Sequence, residues 1–273
     1  MTAVPFFDRR RPRIYAHRGG CALGPENTIA AFDLGLAAGA DGLELDVRLS
    51  ADGIPVVVHD ATLDRTTDAS GPVSARTAEE LARVDAGCRF AGDAGAFPFR
   101  GRGIGVPALV DVLRRYPQVP MIVELKVDTE DCGIRVAQAV RAAGAAERVC
   151  LAGYGSRSAR GGREALPESG ASACDAEVRR ALRRSLLGWP ERGGAYHGYQ
   201  VPERSGWLRV VSPRFVRRAH RAGLAVEVWT VDTQPDMERL LSWGVDGLIS
   251  NRPDLAVRVR NAYLSAGAAP DRA

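Results

Sequence analysis

Two stretches of the chain carry charged residues at a spacing that can do chemistry. In Gly42-Leu-Glu-Leu-Asp-Val47, Glu44 and Asp46 stand two apart, and in Ile122-Val-Glu-Leu-Lys126 the same spacing joins Glu124 to Lys126. Both stretches are otherwise apolar and read as strands, in which residues i and i+2 point to one face. Carboxylates on a buried strand face need a cation, a shared proton or an arginine, because an isolated buried charge is costly. If both strands belong to one barrel, three carboxylates and one ammonium converge at its mouth. Such hard oxygen donors suit Mg²⁺ or Ca²⁺, with Mn²⁺ as a further option, rather than zinc. The spacing is equally compatible with a structural Glu–Lys salt bridge beside a surface acid pair.

His17 and His59 each close a β-rich stretch and are followed by a charged residue, Arg18 and Asp60. In a parallel barrel the C-terminal strand ends form the active-site rim, and imidazole suits proton transfer at neutral pH. Of the four histidines, His197 reads as structural and His220, among arginines on a helix, as a solvated surface residue. Lys126 stands out by composition: it is the single lysine among 37 Lys plus Arg residues. A chain so biased towards arginine keeps a lysine where a compact ammonium is needed and a planar guanidinium fork does not fit.

The elements that must position these groups alternate. Strands are predicted near 14–17, 43–47, 55–59, 121–125, 148–152, 198–201, 225–230 and 247–249. Helices are predicted at 28–38, 109–116, 132–143, 176–187, 213–222, 235–243 and 255–264. Alternating strands and helices with Gly just past several helix ends predict parallel β/α units, and eight strands predict a TIM-type (β/α)8 barrel. Two features break the pattern. Only a turn at Asp52-Gly53 fits between the second and third strands, and a long irregular excursion follows Asp60, with one short helix at 77–84. Residues 156–172, rich in Gly, Ser and Arg, read as a flexible surface loop. Trp189, Trp207 and Trp243 read as packing residues, and Asn27 and Thr28 as caps of the first helix.

Composition narrows the function classes. The net charge of +4 is mild, the Arg179–Arg184 cluster has helical spacing, and no aromatics interleave with it, which argues against a nucleic-acid partner. Five cysteines, an odd number without a CxxC pair, give neither a disulfide framework nor a zinc site. No stretch is apolar and long enough to span a membrane, and the N-terminus lacks an apolar leader. A soluble cytoplasmic protein with no stable membrane insertion is the expectation.

The order of short motifs then adds a resemblance. His17-Arg-Gly19, Pro25-Glu-Asn-Thr28, Gly39-Ala-Asp41, Glu44-Leu-Asp46-Val47, Asp52-Gly53, Val58-His-Asp60, Arg65-Thr-Thr67, Glu124-Leu-Lys126, Val228-Trp-Thr-Val-Asp232 and Gly244-Val-Asp-Gly247 resemble the glycerophosphodiester phosphodiesterase family. The resemblance implies a barrel over residues 12–265 with an inserted subdomain at 61–107 after the third strand, leaving 266–273 as a flexible tail. It implies that Glu44, Asp46 and Glu124 bind one divalent cation and that His17 and His59 act as acid and base. Arg18 and Lys126 would hold the phosphoryl oxygens, with Trp229 lining the site. The implied reaction is metal-dependent hydrolysis of small glycerophosphodiesters to glycerol 3-phosphate and an alcohol. Lysophospholipase D-like cleavage of lipid diesters stands as an alternative, favoured by an apolar groove built from Phe90, Phe97 and Phe99. A non-catalytic phosphodiester-binding barrel is the other. One departure lies in Pro107-Ala-Leu-Val-Asp-Val112, where the family often has two acids after the leucine and Val110 takes the place of the first.

Overall fold

The computed structural model describes residues 5–7, 12–92, 95–190 and 193–267. Strands follow in the order β1 (Arg13–His17), β2 (Gly42–Leu49), β3 (Pro55–Val57), β4 (Met121–Leu125), β5 (Val149–Ala152), β6 (Gly170–Ala171), β7 (Gly198–Pro202), β8 (Arg204–Ser205), β9 (Leu208–Arg209), β10 (Ala225–Trp229) and β11 (Gly247–Ser250). The helices are α1 (Ile29–Ala37), α2 (Ala78–Leu81), α3 (Leu109–Arg115), α4 (Glu130–Ala142), α5 (Ser156–Ala165), α6 (Asp175–Leu186), α7 (Pro213–Arg221), α8 (Gln234–Ser242) and α9 (Pro253–Ser265). Eight strands form a parallel wall in the order β6-β5-β4-β2-β1-β11-β10-β7. A single bridge, Ser172 to Gly198, brings β6 and β7 together and nearly closes the circle. The fold is the predicted TIM barrel.

The eight staves are not the eight expected. Pro55–Val57 pairs antiparallel with β2, Val47 opposite Val57, and lies off the barrel wall. The Asp52-Gly53 turn is too short for the crossover that a parallel neighbour needs, so the pair can only be a hairpin. The missing stave is β6, within residues 156–172, which form α5 and a strand rather than a flexible loop. The glycines there serve helix packing. A Cβ on Gly133 of α4 would lie 2.2 Å from the Ser158 carbonyl oxygen, and one on Gly161 of α5 would lie 2.5 Å from that of Glu130. Glycine lets the two helix backbones touch, and an alternation-based reading takes the same residues for a loop.

Strand alternation sorts the wall into two faces. Leu43, Leu45 and Val47 of β2 and Met121, Val123 and Leu125 of β4 point outward and join Phe32, Leu113, Val136 and Val140 in a helix-backed core. Their neighbours Glu44, Asp46 and Glu124 must therefore point into the barrel. β10 repeats the pattern, with Val226 and Val228 in the outer core and Glu227 and Trp229 on the other face.

The lower barrel is closed by a polar knot under an aromatic plug. Arg13 donates to the Tyr15 hydroxyl (2.6 Å) and to the Phe6 carbonyl (2.6 Å), and its guanidinium lies over the Phe6 ring. Gln200 donates to Glu227 at 2.5 Å. Phe6 is fully buried with Tyr15, Ile122 and Cys150, a role that nothing in the sequence reading gave the N-terminal segment. Burial pushes the Glu227 carboxyl up to about 7. A raised carboxyl favours folding most below its unfolded value, and that stability is lost as pH climbs from about 4.5 to about 7, at an expected cost on the order of 3 kcal/mol. The Glu227→Gln variant is expected to lack this decline. Melting temperatures across pH 4–8 check it, and parallel wild-type and variant curves would refute it.

The excursion after β3 folds on its own apolar cluster, with Val58, Leu63, Val73, Leu81, Val84 and Val106 packed on Val56. Thr77 and Glu80 cap α2 reciprocally, Glu80 donating its backbone N–H to the Thr77 hydroxyl and accepting from the Thr77 backbone. Of the expected tail, residues 268–273 lie outside the described residues. No helix among the described residues is long and apolar enough to cross a membrane. The five cysteines are all free thiols.

Candidate active site

Glu44, Asp46 and Glu124 offer carboxylate oxygens that all lie within 4.8 Å of one another. Register explains the meeting: β2 and β4 are parallel neighbours with Asp46 opposite Glu124, and Glu44 lies two residues back on the same face. Glu44 is 3% and Asp46 1% exposed. Burial, with Asp46 and Glu124 close by, pushes the Glu44 carboxyl well above the usual range, and burial likewise raises Glu124. Asp46 is equally buried, yet Lys126, Arg18 and the Asn27 amide together outweigh that and hold it below its ordinary value. The cluster thus carries more negative charge than its surroundings neutralise. Lys126 is drawn in, donating to Glu124 at 2.6 Å with its Nζ 3.0 Å from Asp46 Oδ1. Three hard carboxylates converging within one coordination sphere fit a divalent cation, and Glu44, Asp46 and Glu124 are the residues that would hold it.

The two histidines are oriented from behind. His17 Nδ1 is 2.6 Å from Asn251 Oδ1, while the Asn251 amide nitrogen donates to Asp232 at 2.7 Å. Asp232 also accepts from the Asn251 backbone and the Ser250 hydroxyl. With its nitrogen committed to a carboxylate, Asn251 presents only its oxygen to His17. His17 therefore carries its proton on Nδ1, and the Nε2 lone pair points to the cavity, 3.8 Å from Glu44. Burial pushes the His17 imidazole below its ordinary value. His59 Nδ1 lies 2.6 Å from Asp60, which is fixed by Arg65 at 2.6 Å. Sequence reading missed Asn251 and Asp232 entirely. The only available signal was that Asp232 closes a family motif, since His17 and Asn251 are 234 residues apart.

The loop after β1 joins the halves. Glu26 takes two hydrogen bonds from Arg65 (2.7 Å each) and one from Arg18 (2.9 Å). Arg18 Nε is 3.2 Å from Asp46, and its backbone N–H donates to Glu44 at 3.0 Å. Arg18 and Asn27 both hold positive φ, a strained setting that aims the Arg18 amide at Glu44 and Asn27 at Asp46. Thr28 caps α1 as expected, through its bond from Ala31. Asn27 does not cap. It clamps Asp46 at both ends, its amide donating to Asp46 Oδ2 (2.8 Å) and its oxygen accepting from the Asp46 backbone.

These groups open into a cavity of about 460 Å³, lined among others by His17, Arg18, Glu44, His59, Glu124, Lys126 and Trp229. Trp229 meets Tyr154 edge to face. The Phe90, Phe97 and Phe99 groove that would favour the lipid alternative is not part of it: Phe90 meets Phe99 edge to face and Arg100 lies over the Phe97 ring, and none of the three is in the lining. An apolar wall exists on the opposite side, from α6 and the β8–β9 hairpin. Neither Val110 nor Asp111 lines the cavity. Trp243 packs under Arg209 and Arg239 as expected, but Trp207 and Trp189 are 91% and 55% exposed. His197 accepts from the Ala171 backbone, consistent with a structural part, whereas His220 is paired with Asp246 at 2.7 Å rather than merely solvated.

Comparison with known proteins bears on the family and the fold. Residues 17–255 match the glycerophosphoryl diester phosphodiesterase family. A protein of Caldanaerobacter subterraneus named glycerophosphodiester phosphodiesterase is 31% identical over 257 residues, covering 90% of this chain and 96% of the relative. The glycerophosphoryl diester phosphodiesterase domain of an uncharacterized Mycobacterium tuberculosis protein superposes with a TM-score of 0.80 at 24% identity, covering 92% of this chain and all of that one. A phosphodiesterase of Oleispira antarctica, solved with its product sn-glycerol-3-phosphate, superposes with a TM-score of 0.71 at 22% identity over 92% and 97% of the two chains. The matched span contains every one of the acids and both histidines at the barrel mouth, and this chain is an enzyme of the glycerophosphoryl diester phosphodiesterase family.

Proposed function

We propose that the chain hydrolyses glycerophosphodiesters to glycerol 3-phosphate and an alcohol, using one divalent cation held by Glu44, Asp46 and Glu124 with His17 and His59 as the acid–base pair. The observation that carries the reading is the meeting of three carboxylates, within 4.8 Å of one another, with two imidazoles, both tied back through Nδ1, in one cavity. When bound, the cation supplies charge neutralisation at the phosphodiester oxygens. Arg18 and Lys126 add fixed positive charge where the transition state gathers negative charge. Lys126, held at the cavity wall by Asp46 and Glu124, would present its ammonium towards the phosphoryl group once a cation shared the neutralisation of those acids. His17, with its lone pair at Nε2, takes a proton from the attacking water, whose oxygen bonds to phosphorus. His59, tied to Asp60 through Nδ1, gives a proton to the departing alkoxide. Asn251 and Asp232 hold the His17 tautomer throughout.

Incubating the protein and a divalent cation with glycerophosphocholine or glycerophosphoethanolamine should release glycerol 3-phosphate and the free head-group alcohol. Phosphocholine or phosphoethanolamine as the product would place the scissile bond on the wrong side of phosphorus, and binding without turnover would leave a silent barrel.

A further inference from the structure

Positive charge is left uncompensated on one side of the barrel. A second hollow of about 280 Å³ lies between α6 and the β8–β9 hairpin, lined by Leu182, Leu208, Val210 and Phe215 together with Arg179, Arg183, Arg209 and Arg214. Asp175 and Glu177 are the acids of α6, and Glu203 is the one acid in residues 198–221. All three are committed, Asp175 to Arg179, Glu177 to Arg163 and Glu203 to Arg239, whereas Arg183, Arg204, Arg209 and Arg214 have no ion pair among the described residues. Arg204 and Arg209 are moreover direct cross-strand partners in the hairpin, where like charges repel. An anionic partner would turn that repulsion into attraction.

The same hairpin holds an indole out in water. Gly206 has a φ of 59°, the setting a two-residue turn of Gly206 and Trp207 requires of its first residue. The base is fixed: the Glu203 carbonyl accepts from the Val210 and Val211 N–H groups, its carboxylate holds Arg239, and Arg209 and Arg239 both lie over the Trp243 ring. Trp207 stands at the tip 91% exposed, with Leu208 38% exposed beside it. A tryptophan amid unpaired guanidiniums matches the head-group zone of an anionic lipid layer, where the ring is half-immersed and the arginines meet lipid phosphates. A nucleic acid fits less well, because single strands are bound along rows of stacking aromatics and the hairpin offers one indole with aliphatic neighbours.

We propose that the β8–β9 hairpin, with the unpaired arginines of α6 and of the start of α7, is a docking surface on which the protein sits reversibly against an anionic phospholipid bilayer. The inference concerns where the protein sits and not what it cleaves, so it does not depend on the diesterase reading. Arg183, Arg204, Arg209 and Arg214 approach the phosphate layer and Trp207 enters it. Leu208 belongs to both hollows, so docking through the hairpin brings the mouth of the barrel beside the bilayer.

The test is cosedimentation of the full chain with vesicles of phosphatidylcholine alone and of phosphatidylcholine mixed with phosphatidylglycerol. Binding is expected to the mixed vesicles, about tenfold or more stronger than to phosphatidylcholine alone, and it should weaken as salt is raised. Arg183→Glu and Arg204→Glu are each expected to weaken it about fivefold or more. Trp207→Ala is expected to weaken it about tenfold and to remove the blue shift that mixed vesicles cause in tryptophan emission. None of the three residues lines the catalytic cavity, so circular dichroism and turnover of glycerophosphocholine in vesicle-free solution should match the wild type. No binding to the mixed vesicles overturns the proposal, as does binding that all three variants retain. Loss on charge reversal with full retention by Trp207→Ala reduces the patch to a polycation and overturns it too. Each of these outcomes leaves the diesterase reading where it stands, since that reading is tested by turnover alone.

Discussion

His17→Ala and His59→Ala are each expected to lower kcat by roughly 10²–10⁴-fold, the range for a positioned acid or base, while KM changes little. The split follows from where the rings sit. Both line the cavity, but neither supplies a carboxylate oxygen to the cation cluster, and each is anchored from behind through Nδ1. Removing either ring leaves Glu44, Asp46 and Glu124 in place, so affinity for a divalent cation, read by calorimetry, should persist in both variants. The two losses are expected to differ in their remedy. A substrate whose leaving group is already a weak base needs no general acid, so a nitrophenyl diester should restore much of the activity of His59→Ala and little of that of His17→Ala. Wild-type-like turnover by either variant with glycerophosphocholine would remove that histidine from the chemistry, and equal rescue of both would reverse or dissolve the role assignment.

The second large effect is expected at Asp46. It is the hub of the site: Asn27 clamps it, Arg18 and Lys126 approach it, and Glu44 and Glu124 flank it. Asp46→Asn keeps the shape and removes the charge. Turnover should fall by roughly 10³-fold or more, equivalent to about 4 kcal/mol of lost transition-state stabilisation. Cation affinity should fall with it, and raising the cation concentration should recover part of the activity. The substitution also tests the salt-bridge alternative that spacing alone leaves open. If Asp46 served only to pair Lys126, the asparagine variant would alter thermal stability while leaving the cation requirement of the reaction untouched.

Much of this site was legible in the sequence because strands impose a period of two. Glu44 with Asp46, and Glu124 with Lys126, could only share a face, and the parallel pairing of β2 with β4 brings the two pairs together. His17 was equally readable as the last residue of its strand. His59 lies two residues beyond β3, and its strand was misread as a barrel stave although its place at the rim was not. What stayed hidden depends on contacts that no local pattern encodes. Asn251 reaches His17 from the other end of the chain, and Arg65 reaches Glu26 across 39 positions. β6 has two residues, a glycine and an alanine, too few and too small to show alternation. The phenylalanines of the excursion were the candidates for an apolar groove that would favour a lipid diester, and none of them lines the cavity. The apolar part of the lining comes from aliphatic residues of α6 and of a hairpin whose turn carries Trp207, read from the sequence as packing but exposed.

The most direct test of the central claim is the cation dependence of glycerol 3-phosphate release from glycerophosphocholine. After exhaustive chelation and removal of the chelator, the wild-type chain is expected to release none, and titrating in Mg²⁺, Ca²⁺ or Mn²⁺ should restore release with saturation at a single site. Full release by the chelated protein, or none with any of the three cations, would contradict the account.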